Sequence, residues 1–259
     1  MNQTEFTQPA LLTASIASWR ALGEPIRAAT LVAGHSLGEF TALVAAGALS
    51  FADAVRMVHL RGRFMQEVSP EGKGAMAAII GLERREVDAL CVRASSDSES
   101  VSPANYNGAS QIVVSGEINA VRRAMALATE KGAKRVLQLA VSVPSHSPLM
   151  REACVRLSAE LEKVEGSDLQ KPLINNLAAK AIHTWISAKK GLVDQLSSPL
   201  RWEETIGFMQ GAGVDQFIEV GPGRVLSGLL KRIDRRANVL CVEDPESVEK
   251  GVSLLKMLS

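Results

Sequence analysis

The chain has 259 residues, 46% hydrophobic and 22% charged, enough to bury one large core or a core with a smaller one inserted. Its 29 basic and 28 acidic side chains leave a formal charge of +1, which removes any net-charge argument for nucleic acid or an anionic membrane as partner. Cys91, Cys154 and Cys241 are far apart and lack metal-ligand spacing, so they read as reduced thiols of a cytoplasmic protein; no metal and no cofactor is implied. Met1 to Phe6 shows neither a basic leader nor an apolar export segment, and no run has the length of a membrane span.

From Gln8 to Leu22, Leu11, Leu12, Ile16, Trp19 and Leu22 recur at helical spacing, with Gly23 and Pro25 as the stop. A short apolar strand is expected over Ala28 to Ala33, then a helix from Gly38 to Ala46 closed by Gly47. Ser50, with Asp53 three residues on, reads as the cap of a helix running to about Gln66, before Pro70, Gly72 and Gly74 break the pattern.

The next segment predicts a strand (Ala75 to Ile80), a helix (Arg84 to Ala94), two strands (Val101 to Asn105, Gln111 to Ser115), a helix (Asn119 to Lys131) and a strand (Arg135 to Val143). In that last strand Leu137, Leu139, Val141 and Val143 share a face. This β-α-β-β-α-β order is expected to form a lobe over residues 71–139, inserted into a large α/β body made of 1–70 and 140–259. Beyond Pro148 follow a helix (Leu149 to Val164), a strand (Pro172 to Asn175), two helices, a strand (Gln216 to Val220), a helix (Val225 to Arg232) and a strand (Ala237 to Val242).

Between the first strand and its helix stands Gly34-His35-Ser36-Leu37-Gly38-Glu39. A serine between two glycines at a strand-to-helix turn reads as a nucleophile elbow, with Ser36 as nucleophile and the Leu37 N–H as oxyanion donor. A serine hydroxyl needs a base, and the chain has only four histidines. His35 is in the elbow, His59 lies on a helix and His183 has no local constraint. His146 sits in Pro144-Ser145-His146-Ser147-Pro148, where two prolines stiffen the turn, and is the candidate base.

Arg61 has Met57, Val58, Phe64 and Met65 at its helical neighbour positions, all apolar. A guanidinium so surrounded needs an anion: either an internal Asp or Glu, or a carboxylate that arrives with the substrate.

Gly34 to Glu39, Arg61-Gly62-Arg63-Phe64-Met65-Gln66, Val143-Pro144-Ser145-His146 and Glu219-Val220-Gly221-Pro222-Gly223, in this order, resemble the malonyl-CoA:acyl carrier protein transacylases of fatty-acid synthesis, nearly end to end. The resemblance implies an α/β-hydrolase-like large domain with an inserted ferredoxin-like small lobe. It implies that Ser36 takes the malonyl group as an ester, that His146 is general acid and base, and that Arg61 pairs with the malonyl carboxylate in a pocket lined by Met65. Asn105 and Asn107 correspond to asparagines that face the cleft from the small lobe, and His35 accompanies them in binding substrate. Gln195 corresponds to a residue whose backbone carbonyl orients the histidine. Malonyl-CoA and acyl carrier protein are the implied partners, with the chain acting as a monomer.

Members of the family begin with a strand and a Phe-Pro-Gly-Gln-Gly-Ser-Gln type loop that supplies a second oxyanion amide, and this sequence has no such segment. The expectation is therefore a fragment or displaced start of a working enzyme, with weakened activity. Two other readings stay open: a non-catalytic remnant that only binds the carrier or a pathway enzyme, and a serine esterase. The esterase ranks lowest, because the long segment after His146 departs from its usual residue order and it has no role for Arg61. Lys231, Arg232, Arg235 and Arg236 are either a solvated face or a docking patch for an acidic carrier. The Glu219 to Gly223 turn does not match a phosphate loop and reads as structural.

Overall fold

Ser50 accepts a hydrogen bond from the Asp53 N–H and so starts the long helix that carries Arg61, as the capping pattern predicts. The computed structural model describes residues 4–70, 72–141 and 143–258. Met1 to Gln3, the lobe boundary at Glu71, Ser142 of the expected strand, and Ser259 lie outside the described residues.

The large body opens with α1 (Thr4–Ala21), β1 (Val32–Ala33), α2 (Gly38–Ala45) and α3 (Phe51–Val68). The inserted lobe contributes β2 (Gly74–Ile80), α4 (Arg84–Ala94), β3 (Val101–Gly108), β4 (Gln111–Glu117), α5 (Ile118–Glu130) and β5 (Arg135–Gln138). The body resumes with α6 (Arg151–Leu161), β6 (Leu173–Ile174), β7 (Ala181–Ile182), α7 (Trp185–Asp194), α8 (Trp202–Gly211), β8 (Gln216–Val220), α9 (Val225–Ile233), β9 (Asn238–Val242) and α10 (Pro245–Leu258).

The lobe is a four-stranded antiparallel sheet in the order β3-β4-β2-β5 with two helices, a ferredoxin-like arrangement beside a large α/β domain. In the body β1 pairs in parallel with β6, which pairs with β7, while β8 and β9 form a separate parallel pair. Phe40, Leu43, Met57, Leu157, Leu173 and Leu192 are buried between the helices and this sheet. Each such side chain contributes roughly 1.5–3 kcal/mol by leaving water.

Several elements differ from expectation. The strand expected from Ala28 shrinks to Val32–Ala33, because Pro25 starts a 3-10 turn over Glu24–Ala28 and the Arg27 and Ala29 carbonyls accept from Lys171 rather than from a strand. The strand expected over Arg135 to Val143 ends at Gln138, at the sheet's edge. Of its expected inward face, Leu139 and Val143 do pack, but Leu137 and Val141 are about half exposed, at 47% and 48%. Helix α10 was not anticipated. Its Gly251 lies so close to Leu22 and Val242 that a Cβ there would sit 2.6 Å from the Leu22 side chain.

Two backbone bonds tie β3 of the lobe to Leu200 of the body: the Tyr106 N–H donates to the Leu200 carbonyl, and the Leu200 N–H to that of Ala104. They fix the wall of the cleft above the turn at Ser36.

Candidate active site

The turn from β1 into α2 is tight because Gly34 has no side chain: a Cβ there would lie 2.0 Å from the Gly38 backbone. Gly38 meets no such neighbour, so the close approach rests on Gly34. The bend leaves Ser36 in the left-handed region at φ 54°, a position that costs an L-residue about 1–3 kcal/mol and persists only where its surroundings enforce it. Asn176, two residues past β6, supplies that enforcement. Its Oδ1 accepts from the Ser36 N–H at 2.7 Å and its Nδ2 donates to the Gly34 carbonyl at 2.7 Å. The Leu37 N–H meets no acceptor among the described residues and remains open to an oxyanion.

His146, also left-handed at φ 61°, is buried at 4% exposure. Its backbone N–H donates to the Leu196 carbonyl, and Nδ1 lies 2.6 Å from the Gln195 carbonyl. A carbonyl only accepts, so Nδ1 carries the proton, and Nε2, 2.9 Å from Ser36 Oγ, is free to accept the serine's. Burial, followed by the field of Arg61, pushes His146 down to about 3, against the pull of the Gln195 carbonyl. The ring is thus neutral, with Nε2 as its acceptor.

Arg61 reaches the same hydroxyl: Nη2 donates to Ser36 Oγ at 2.9 Å, and Nη1 to Gln8 Oε1 at 2.6 Å. At 2% exposure it is among the largest fully buried side chains, and its Nε has no partner among the described residues. Burial lowers it to about 10, so it remains a cation at neutral pH. It forms no ion pair with a carboxylate among the described residues. The acid whose field it feels, Glu39, is pushed by burial up to about 8 and spends its oxygens elsewhere.

Gln8 is a residue that sequence reasoning missed. Besides holding Arg61, its Nε2 donates to Met65 Sδ at 3.7 Å and to Thr4 Oγ1 at 2.8 Å. The contact needs α1 to press on α3 at Gly62, where a Cβ would lie 2.6 Å from Glu5 Cα. A signal existed: Gln8, Leu12 and Ile16 are spaced by four and all buried, so a lone amide sits on the apolar stripe. Glu39 and Asn176 were missed too. Glu39 stood out only as the single charged residue of α2.

From the lobe, Asn107 Oδ1 lies 3.0 Å from His35 Nε2, and the His35 ring meets Trp202 edge-on with centroids 5.4 Å apart. Desolvation holds His35 below its usual value, so it is neutral and donates from Nε2 to Asn107. Asn105 is buried at a bulge of β3, its backbone bridged to Leu200, with no hydrogen bond from its side chain to Ser36, His35 or His146. The arrangement therefore brings together Ser36, His146, Gln195, Arg61, Met65, His35 and Asn107, and leaves Asn105 as part of the wall.

A model of the acyl transferase domain family matches residues 1–242 of the chain. The chain belongs to that family. Among curated acyl transferase relatives it is 44% identical over 255 residues to the malonyl CoA-acyl carrier protein transacylase of Escherichia coli K12, covering 98% of this chain and 82% of the relative. It is 45% identical to that of Bacillus subtilis, over 96% of this chain and 78% of the relative. A solved malonyl transacylase in complex with a type II polyketide acyl carrier protein matches with TM-score 0.94 and 46% identity, covering 98% of this chain and 82% of the other. The transacylase of Coxiella burnetii matches with TM-score 0.93 and 43% identity, over 98% and 80%.

Proposed function

We infer that this acyl transferase chain moves a malonyl group from coenzyme A to the phosphopantetheine thiol of an acyl carrier protein, through an ester on Ser36. One observation carries the reading: a buried guanidinium with no carboxylate partner among the described residues donates to the hydroxyl that His146 also contacts. A short acyl group esterified there places a terminal carboxylate beside the cation.

The steps follow from the contacts. His146 Nε2 takes the Ser36 proton as Oγ attacks the thioester carbonyl, and the Leu37 N–H receives the developing oxyanion. Collapse breaks the C–S bond; the departing thiolate takes the proton from His146, leaving malonyl-Ser36 and coenzyme A. The carrier thiol then gives its proton to His146 and attacks the ester. Collapse now breaks the C–O bond, and Ser36 recovers the proton. The group behind His146 is a neutral carbonyl, which stabilises the imidazolium less than a carboxylate would; this tempers serine activation and disfavours water as the second nucleophile.

Ser36, His146 and Arg61 all come from one chain, so the site is complete without a second copy, which supports the reading of a monomer. Its three free thiols support a cytoplasmic setting. The test is transfer itself: purified chain with malonyl-CoA and a holo acyl carrier protein yields malonyl-carrier, and Ser36→Ala abolishes it. Absence of transfer by the unaltered chain, with the carrier intact, contradicts the reading.

A further inference from the structure

We propose that Glu39 is a positioning residue for acyl transfer, a single buried carboxyl that locks the carbonyl behind His146 and the amide cage around Ser36 into one frame. The proposal rests on the acyl transfer assigned above. Glu39 lies in the first turn of α2 at 2% exposure, beside Phe40 and Leu43 of the apolar core. It touches neither reacting group. Its Oε2 accepts from Gln195 Nε2 at 2.7 Å, and its Oε1 accepts from the Asn176 N–H. Those partners are the ones that matter: the Gln195 backbone carbonyl holds His146 Nδ1, and the Asn176 side chain holds both Ser36 N–H and the Gly34 carbonyl.

The need for such a tie follows from the backbone. Ser36 and His146 come from segments 110 residues apart, and both stand in left-handed conformations. Strain at such positions persists only where surrounding contacts over-determine it. Asn176 and the Gln195 carbonyl each restrain one of the two; Glu39 is bonded to both restraining residues, 137 and 156 residues away in sequence. A shift of Gln195 relative to Asn176 would move Nε2 relative to Oγ directly.

The bridge also tolerates a proton. Gln195 Oε1 is buried without a partner among the described residues. When Glu39 is protonated, its O–H donates to that oxygen after the amide turns over, and when ionised it accepts from Nε2 as observed. Burial pushes Glu39 up to about 8, so both forms occur near neutrality and the tie holds in each. The link is a hydrogen bond rather than a charge, and a glutamine at this position can make it.

The experiment compares Glu39→Leu, Glu39→Gln, Gln195→Leu and the Glu39→Leu/Gln195→Leu double variant for kcat, KM and the rate at which a fluorophosphonate probe labels Ser36. Glu39→Leu is expected to lower kcat about 10- to 100-fold, the scale of a small misplacement of reacting groups, with KM for malonyl-CoA within about twofold. Glu39→Gln recovers most of that loss. Gln195→Leu keeps the backbone carbonyl and shows the same loss, so it carries the test if Glu39→Leu fails to fold. The double variant is no worse than the worse single one, because both break one bridge. The proposal is overturned if folded Glu39→Leu or Gln195→Leu keeps kcat within about twofold, if the loss is confined to KM, if Glu39→Gln is as impaired as Glu39→Leu, or if the two losses multiply. Unaltered chain that transfers no malonyl while its probe labelling still depends on Glu39 contradicts the assigned reaction and leaves the positioning role standing.

Discussion

Arg61 Nη2 donates to Ser36 Oγ at 2.9 Å, so the cation that would grip the substrate's carboxylate lies against the hydroxyl proposed to carry the acyl group. Binding a malonyl group then exchanges a neutral acceptor for an anionic one, and charge-assisted bonds to carboxylate are about twice as strong. An acetyl group offers no such exchange and leaves the guanidinium unpaired.

Replacing Arg61 by alanine is expected to cost malonyl transfer roughly 3–5 kcal/mol, a factor of a hundred or more in kcat/KM, as for breaking a buried ion pair. Acetyl transfer falls less, so the malonyl-to-acetyl ratio narrows. Parallel kcat/KM measurements with the two coenzyme A thioesters check this; an unchanged ratio removes Arg61 from substrate selection.

Because His146 is lowered to about 3, it stays unprotonated well below the usual imidazole range. The groups facing it are Arg61 and His35, which lower it, and the Gln195 carbonyl, which raises it. The kcat/KM for acylation is therefore expected to stay flat from pH 8 to about pH 5, where an unperturbed histidine would show a limb near 6.5. In Arg61→Ala the acid limb moves upward, since one lowering influence is gone. A limb near 6.5 in the unaltered chain contradicts the burial argument.

Glu39 gives a stability prediction of definite sign. Its folded carboxyl stands at about 8 against an ordinary 4.5, so between those values the folded chain holds a proton that the unfolded chain releases. Stability from this group therefore falls as pH rises from 4.5 to 8, then levels off. Glu39→Gln lacks that titration, and its Tm relative to the unaltered chain is expected to climb across this window by several degrees, at about 2–4 °C for each kcal/mol in a chain of this size. Melting curves between pH 4.5 and 9 decide it; a pH-independent difference refutes the shift.

The basic residues at the end of α9 offer a docking test. Lys231 and Arg232 occupy its last turn, and Arg235 and Arg236 follow before β9. Lys231 reaches the Arg235 carbonyl and Arg232 donates to Gln111 of the lobe, which leaves Arg235 and Arg236 as the freer pair. Reversing both charges is expected to raise the KM for an acidic carrier protein by roughly tenfold at low salt, with less effect at high salt, while acylation by malonyl-CoA stays unchanged. Equal carrier kinetics in both proteins would mark these residues as a solvated face.

The parts of the site legible in the sequence are those with a local signature. Ser36 is visible because two glycines flank it where an apolar run meets a helix, His146 because prolines bracket it, and Arg61 because its helical neighbours are all apolar. The role of the Gln195 carbonyl came only through family resemblance, since a backbone oxygen leaves no trace in residue type. Gln8, Glu39 and Asn176 escaped because each is a polar group whose partners lie on other elements, and nothing local says which buried amide or carboxyl will be satisfied. The same limit applies to the fold. The lobe's β-α-β-β-α-β order was legible, whereas β5 read too long because the alternation over Arg135 to Val143 continues past the edge strand's end at Gln138, and β1 read too long because Pro25 and Lys171 capture the chain before it.

The most direct measurement is mass spectrometry of the chain after brief incubation with malonyl-CoA alone. The account predicts a malonyl ester on the peptide containing Ser36, absent in Ser36→Ala, much reduced in Arg61→Ala and discharged by a carrier thiol. A chain that stays unmodified, or that carries the malonyl group elsewhere, contradicts it.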